Sequence, residues 1–366
     1  MRVDQIDTSQ YPSLLKAKEQ ETLSLFKSLT LPEQTDLIPS PHQHYRLRAE
    51  FRVWHQDDDS FYIMFDPATK EKFRVDYFIP GSELLNQLMQ AVRAQFLENE
   101  LLRRKLYQVD FLTTLSGEAL VSLIYHKKLD DEWQAQAKAL KQALSTIAPV
   151  NIIGRSRKQK VLVDQDYVTE SLTVSGEIYR YQQIENSFTQ PNGIINQAML
   201  EWASQIAKPL TGDLLELYCG NGNFSIALSK QFNKVLATEI ARSSVKSAQH
   251  NLALNKISNT VIGQSSAEDF SAAYFEGKSV KSLKTIDLTD YQFSTILVDP
   301  PRAGLDKQTV ELVKKFDNII YVSCNPETLT DNLADIEQTH QIQDLTLFDQ
   351  FPYTHHIETG VWLTRR

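Results

Sequence analysis

The chain has 366 residues and two cysteines, Cys219 and Cys324, and the second stands in a stretch built for chemistry. Residues 318–329 read Asn-Ile-Ile-Tyr-Val-Ser-Cys-Asn-Pro-Glu-Thr-Leu. The β-branched and aromatic run Ile319, Ile320, Tyr321, Val322 predicts a buried strand. Pro326 can open a helix, because the N–H it lacks would be an orphan there anyway. Cys324 then falls where a strand ends and a helix begins, on the edge at which open α/β sheets bind ligands. A helix N-terminus favours an anion, so the thiol is expected to ionise easily and act as a nucleophile. A free cysteine beside a strand can equally be a small buried hydrophobe. Taken alone, the stretch leaves both readings open.

Other groups cluster at similar boundaries. Gly220 and Gly222 follow an apolar run and let a tight turn approach a ligand, with a helix N-terminus behind it. Tyr218 and Asn223 flank that turn. Glu239 ends the next apolar run about twenty residues on, where a carboxylate can hold a ribose diol. Ser225 occupies the third glycine position of the dinucleotide fingerprint. S-adenosylmethionine, a nucleoside ligand without a pyrophosphate, therefore fits better than NAD. Asp299-Pro300-Pro301-Arg302 closes another strand, and its prolines make a rigid wall against which a planar base can lie. Residues 187–192, Ser-Phe-Thr-Gln-Pro-Asn, precede a helix and either cap it or line the cofactor site. Residues 349–358 carry Glu358 just before the last strand. His355 and His356 are expected to point to opposite faces of that strand and have no second ligand group, so no metal is expected.

Composition bounds the rest. Hydrophobic residues make up 42% and charged residues 23%, which is ordinary for a globular protein, and the length suggests two domains. Two cysteines cannot build a four-cysteine zinc or iron–sulfur site. The N-terminus shows no signal-peptide core and no apolar run reaches spanning length, so a cytoplasmic protein is expected. Net charge is −8, yet residues 41–160 hold 18 Lys+Arg against 15 Asp+Glu, leaving 20 against 31 elsewhere. That asymmetry suggests one domain that meets a polyanion locally.

The elements that must position these groups follow from periodicity. Residues 10–30 show helical spacing of Leu14, Leu15, Leu23, Leu25 and Phe26, and Pro32, Pro39 and Pro41 suggest a linker. From Tyr45 the pattern is period two: Tyr45, Leu47, Ala49, Phe51 and Val53 on one face, Arg46, Arg48, Glu50 and Arg52 on the other. A returning strand at 61–66, a helix at 82–104 capped by Ser82, strands at 106–115 and 119–126, a helix at 130–147 and strands at 151–157 and 161–168 complete an α+β domain with a mostly antiparallel sheet. The arginine face, with Tyr107, His126 and nearby basic triplets, combines charge with stacking surfaces, as unpaired RNA bases require. The second half alternates strand and helix, which implies a doubly wound, mostly parallel Rossmann-like sheet whose last pair is antiparallel. Expected domains are a helical segment and linker over 1–40, the RNA-binding domain over 41–180 and a methyltransferase domain over 181–366.

Leu-Tyr-Cys-Gly-Asn-Gly-Asn-Phe-Ser, Asp-Pro-Pro-Arg-Ala-Gly, Ser-Cys-Asn-Pro-Glu-Thr-Leu and Asp-Gln-Phe-Pro-Tyr-Thr-His-His-Ile-Glu together resemble the RNA uracil-5-methyltransferases. Tyr-Arg-Leu-Arg-Ala-Glu-Phe-Arg-Val-Trp-His and Tyr-His-Lys-Lys-Leu-Asp-Asp extend the resemblance through the N-terminal half, toward the branch that makes ribothymidine in the tRNA T-loop. The resemblance implies Cys324 as nucleophile at uracil C6, Glu358 as the base that removes the C5 proton, and Gln190, Tyr218, Asn223, Glu239 and Asp299 as S-adenosylmethionine contacts. Arg302 is a charge-based candidate for the developing enolate oxygen. It further implies a monomer acting on tRNA, with T-loop-like RNAs such as tmRNA as further candidates, and no metal or iron–sulfur cluster. Competing readings are a ribosomal-RNA uracil-5-methyltransferase, a purine amino-methyltransferase with a structural Cys324, and an RNA-folding module for tRNA.

Overall fold

The computed structural model describes residues 2–366. Contacts divide the described residues into two compact units: residues 2–9, 41–171 and 182–193 form one, and residues 10–40, 172–181 and 194–366 the other.

In the first unit a seven-stranded sheet runs in the order Lys72–Arg74, Asp59–Phe65, Arg48–Gln56, Leu106–Thr113, Ala119–Tyr125, Val150–Ser156, Gln159–Leu162. All neighbours are antiparallel except Ala119–Tyr125 with Val150–Ser156. The period-two pattern holds: Ala49, Phe51 and Val53 join a core with Tyr62, Phe111 and Trp133, while Arg48, Glu50 and Arg52 stay on the other face. Helices Glu83–Glu98 and Asp131–Leu144 contribute Leu88, Val92, Ala137 and Leu140 to that core. Ser82 and Asp130 cap them by accepting from the amides of Leu85 and Trp133. The helix expected over 82–104 breaks at Asn99, whose side chain starts a separate turn, Glu100–Arg103. The strand expected over 161–168 also divides. Gln159–Leu162 closes the sheet, and Tyr167–Val174 pairs with Glu177–Ile184 in a hairpin of its own.

The second unit is built on an eight-stranded sheet ordered Asp36–Ile38, His340–Phe348, Glu358–Arg365, Asn318–Ser323, Phe293–Val298, Asp213–Leu217, Val235–Glu239, Thr260–Gln264. The last five named are mutually parallel, and Glu358–Arg365 is antiparallel to both its neighbours. Sequence order reverses direction between Asp213–Leu217 and Phe293–Val298. That is the switch point at which the C-terminal ends of the strands open a crevice.

The division differs from the expected boundaries at both of its ends. Residues 10–40 are not a linker but part of the second unit, where Asp36–Ile38 pairs in parallel with Thr346, Leu347 and Phe348. Residues 182–193 belong to the first unit. Helix Tyr11–Leu25 also buries an unexpected face. Leu14, Leu15 and Leu23 are half-buried and Leu25 is exposed, whereas Tyr11, Lys18 and Thr22 are buried. The reason is Asp349. Lys18 Nζ lies 2.6 Å from its carboxylate and donates also to the carbonyls of Phe351 and His356, and the Tyr11 hydroxyl donates to the other carboxylate oxygen at 2.7 Å. A buried ion pair of this kind costs desolvation that its Coulomb attraction roughly offsets, but removing one partner strands the other. Lys18→Met is therefore expected to destabilise the protein by about 3–5 kcal/mol in chemical denaturation, with much of the loss recovered in Lys18→Met/Asp349→Asn. Equal stability of the single and double variants would show that the charge pairing is not what holds the helix.

Candidate active site

Three segments bring ionisable groups to the crevice of the second unit. Strand Asn318–Ser323 ends one residue before Cys324, and helix Pro326–Ile336 begins two residues after it, with Asn325 as its cap. Strand Phe293–Val298 ends immediately before Asp299. Glu358 is the first residue of strand Glu358–Arg365, paired across from Phe348 and 5% exposed.

These groups share one electrostatic environment. Burial pushes the Glu358 carboxyl up to about 8, with the Asp299 charge adding to the rise and Arg302 opposing it. Desolvation pushes Asp299 up to about 7. The Cys324 thiol is half-buried and raised by desolvation first, then by Glu358 and Asp299, with Arg302 pulling the other way. This corrects the expectation that the helix end would lower it. Pro326 has no N–H to offer, and the Glu327 amide is already held by the Asn325 side chain at 3.2 Å. Little of the helix terminus is left for a thiolate. Cys219 is only 3% exposed, packed among Leu214, Phe224 and Ala237, and its thiol is raised far above the ordinary range by burial. It is a core residue.

The loop after Asp299 is fastened to the helix after Cys324. Asn325 and Thr328 side chains both donate to the Arg302 carbonyl, at 3.0 and 3.2 Å. Asn332 accepts from the Leu305 amide and donates to the Leu305 carbonyl, and it also accepts from the Tyr321 hydroxyl. Gly304, at φ +72°, passes so close to Asn332 and Thr328 that a Cβ would lie 2.8 Å from the Asn332 amide oxygen. Composition gives no sign of this clamp, although Asn-Pro is a recognisable helix start. Arg302 itself is exposed, with Nη2 3.3 Å from His356 Nε2. His355 and His356 lie outside the strand, in the bends before it, with ring centroids 4.0 Å apart rather than on opposite faces.

The residues expected to hold a nucleoside cofactor sit at the switch point. Tyr218 follows strand Asp213–Leu217 at φ +61°, a left-handed conformation that costs an aromatic residue about 1–3 kcal/mol. Gly220 is at φ +56°, and a Cβ there would meet nothing within 4 Å, so the turn faces open space. Its amide donates to Glu239 at 3.1 Å, and the other Glu239 oxygen accepts from Ala241, leaving each oxygen a further lone pair. Asn223 opens helix Asn223–Leu228, and its side-chain amide exchanges hydrogen bonds with Asn196. Beneath the turn, Glu216 is buried and pushed up to about 8 by desolvation. Asp299 has no hydrogen-bond partner among the described residues. An open glycine turn and unfulfilled carboxylate acceptors fit a nucleoside with hydroxyl and amine donors. Gln190 falls in the first unit, in residues 182–193.

A family model described as tRNA (Uracil-5-)-methyltransferase matches residues 10–366. The chain belongs to the tRNA (uracil-5-)-methyltransferase family. A protein of Colwellia psychrerythraea named tRNA/tmRNA (uracil-C(5))-methyltransferase is 57% identical over 361 residues, 99% of each chain. One of the same name from Shewanella halifaxensis is 53% identical over 366 residues, all of both chains. The crystal structure of Pyrococcus abyssi tRNA (uracil-54, C5)-methyltransferase in complex with S-adenosyl-L-homocysteine matches with a TM-score of 0.72 at 19% identity, covering 99% of this chain and 85% of that one. The fold is thus that of an S-adenosylmethionine-dependent methyltransferase, and as a member of this tRNA (uracil-5-)-methyltransferase family the chain is an enzyme that uses that cofactor. No described helix is long and apolar enough to cross a membrane.

In the first unit, the residues expected to meet RNA divide into two groups. Arg52, Tyr107 and His126 form a column: the guanidinium carbon lies 3.8 Å from the Tyr107 ring centre, and the Tyr107 and His126 rings are 4.2 Å apart. Tyr107 and His126 line a cleft of about 430 Å³ with Trp54, His55 and Lys105. Arg46 and Arg48 instead serve the backbone, donating to the carbonyls of Arg48 and Ser187, and Arg48 also lies 3.5 Å from Glu50.

The raised carboxyl of Glu358 has a thermodynamic signature. Its folded value of about 8 exceeds the ordinary 4.5, so between those values the folded state holds a proton that the unfolded state has lost, and stability falls as pH rises through that window. Glu358→Gln cannot ionise. Its melting temperature relative to the unsubstituted protein should therefore rise progressively from about pH 5 to about pH 9. A pH-independent difference would mean that Glu358 is not desolvated.

Proposed function

We propose that this enzyme methylates C5 of the uridine at position 54 in the tRNA T-loop, with tmRNA as a further substrate, through a covalent adduct on Cys324. The printed names of its relatives, which include tRNA, tmRNA and uracil-54, support the substrate. The single observation that carries the mechanism is the convergence of a half-buried thiol, a buried high-pKa carboxyl and Arg302 at one strand edge. The same reading makes the enzyme a cytoplasmic monomer.

Uracil C5 is too weak a nucleophile to take a methyl group unaided. The Cys324 thiolate adds to C6, forming the S–C6 bond and moving the C5=C6 π electrons into an enolate. Arg302 stabilises the enolate oxygen by its charge. Tyr218, Gly220, Asn223, Glu239 and Asp299 would hold S-adenosylmethionine, which would supply the electrophilic methyl group for C5 and be left as the thioether S-adenosylhomocysteine. Ionised Glu358 then takes the C5 proton, the C5=C6 bond reforms, and the Cys324 thiolate leaves. A carboxylate whose proton affinity lies near 8 is a far better base here than one near 4.5. The target base must leave its stack to reach such a site, and in this reading the Arg52–Tyr107–His126 column stacks on unpaired bases of the same RNA.

Two experiments test the roles. RNA with 5-fluorouridine at the target should give a denaturation-resistant complex in the presence of cofactor, because fluorine cannot leave as a proton does. Cys324→Ala should abolish that complex while still binding tRNA; an adduct that persists would move the role elsewhere. With natural uridine and methyl-labelled cofactor, Glu358→Gln should accumulate a methylated covalent adduct on denaturing gels. Free 5-methyluridine formed at a near-normal rate by that variant would exclude Glu358 as the base.

A further inference from the structure

Most cations of the first unit are neutralised or used internally. Arg74 pairs with Asp59 and Asp76, Arg93 with Asp59, Arg155 with Glu185, and Lys160 with Asp166 and Glu185. Lys127 spends its ammonium on the Leu101 carbonyl and the Tyr125 ring. Lys128, Arg157 and Lys158 instead form a cluster without such partners. All three are exposed, none has an acidic partner within 4.0 Å among the described residues, and all three line one cleft of about 550 Å³.

That cleft is a held structure. The turn carrying Lys128 is latched to the hairpin carrying Arg157 and Lys158: the Ser156 hydroxyl donates to the Lys127 carbonyl, and the Gln159 amide accepts from the Leu129 N–H at 3.0 Å and donates to its carbonyl. Lys158 sits at φ +62°, at the tip of that hairpin. His126 lines this cleft as well as the one beside Tyr107, so the two are continuous. They differ in chemistry. The Tyr107 cleft offers ring faces beside a single cation, Lys105, whereas the second gathers three unpaired cations and, apart from His126, no exposed ring.

We propose that the Lys128–Arg157–Lys158 cleft binds the sugar–phosphate backbone of the base-paired stem adjoining the target loop. Unpaired bases need stacking faces, and the Arg52–Tyr107–His126 column supplies them. A helical stem hides its bases and shows phosphates, which charge without stacking recognises. The proposal rests on the reading of the first unit as the RNA-binding unit. It makes the unit of recognition a loop together with its stem.

The test uses the full chain with Lys128→Gln, Arg157→Gln and Lys158→Gln combined, and two RNAs: a T-arm stem-loop and a single-stranded oligonucleotide of the loop alone. For the stem-loop, the slope of log affinity against log salt should become shallower by about 2–3, and affinity at low salt should fall about tenfold or more. For the loop oligonucleotide both should stay unchanged, as should S-adenosylmethionine binding, which checks folding. An unchanged stem-loop slope, or equal losses for both RNAs, would overturn the proposal. Tyr107→Ala keeps the two ideas apart, since it should weaken both RNAs alike. If it weakens neither, the stacking column is wrong, and the triple variant still judges the cleft.

Discussion

Desolvation at one strand edge governs this enzyme. Asp299, Cys324 and Glu358 all meet where water is scarce; both acids raise the proton affinity of the thiol, and Asp299 raises that of Glu358 as well. Such groups titrate as a set, so ionising one makes the next harder. Burial favours the protonated form of Glu358, which removes a like charge from beside the thiol. In the proposed mechanism that proton must be gone before Glu358 can accept another from C5. Arg302 is the cation that pulls both Glu358 and Cys324 toward ionisation, and its guanidinium is exposed and tied only loosely to His356. Charge state and reaction order are therefore linked through a single loop.

That loop is fixed by polar side chains on the helix that follows Cys324. Asn325, Thr328 and Asn332 lie on one helical face, and each grips the backbone between Arg302 and Leu305. The helix that follows Cys324 thereby also sets the wall that follows Asp299. Gly304 permits the close approach, since any side chain there would collide with the gripping residues. Positioning by fixed hydrogen bonds rather than by mobile segments suits a reaction in which a displacement of about 1 Å is costly.

The alternating strand–helix order and the place of Cys324 were legible because period and turn chemistry are local signals. The arginine face of the first unit was legible for the same reason. The thiol's proton affinity was not, because it depends on which N–H groups the helix end has left after capping and on acids brought from Asp299 and Glu358. The helix at Tyr11–Leu25 misled through its leucines: its buried side is chosen by an acid more than three hundred residues away. The apparent linker concealed an edge strand, since three residues such as Asp36–Ile38 carry too little pattern to declare a partner.

The tether between Lys18 and the Asp349 segment has a meaning during synthesis. Lys18 emerges from the ribosome 331 residues before its acceptor, and Asp349 in turn precedes Glu358 in the same segment. A nascent chain that already contains Cys324 still lacks the strand Glu358–Arg365, the antiparallel neighbour of the strand that leads into the thiol. Long-range pairings of this kind form last. Cys324 and Glu358, the nucleophile and base of the proposed reaction, are thus brought together only on completion of the chain.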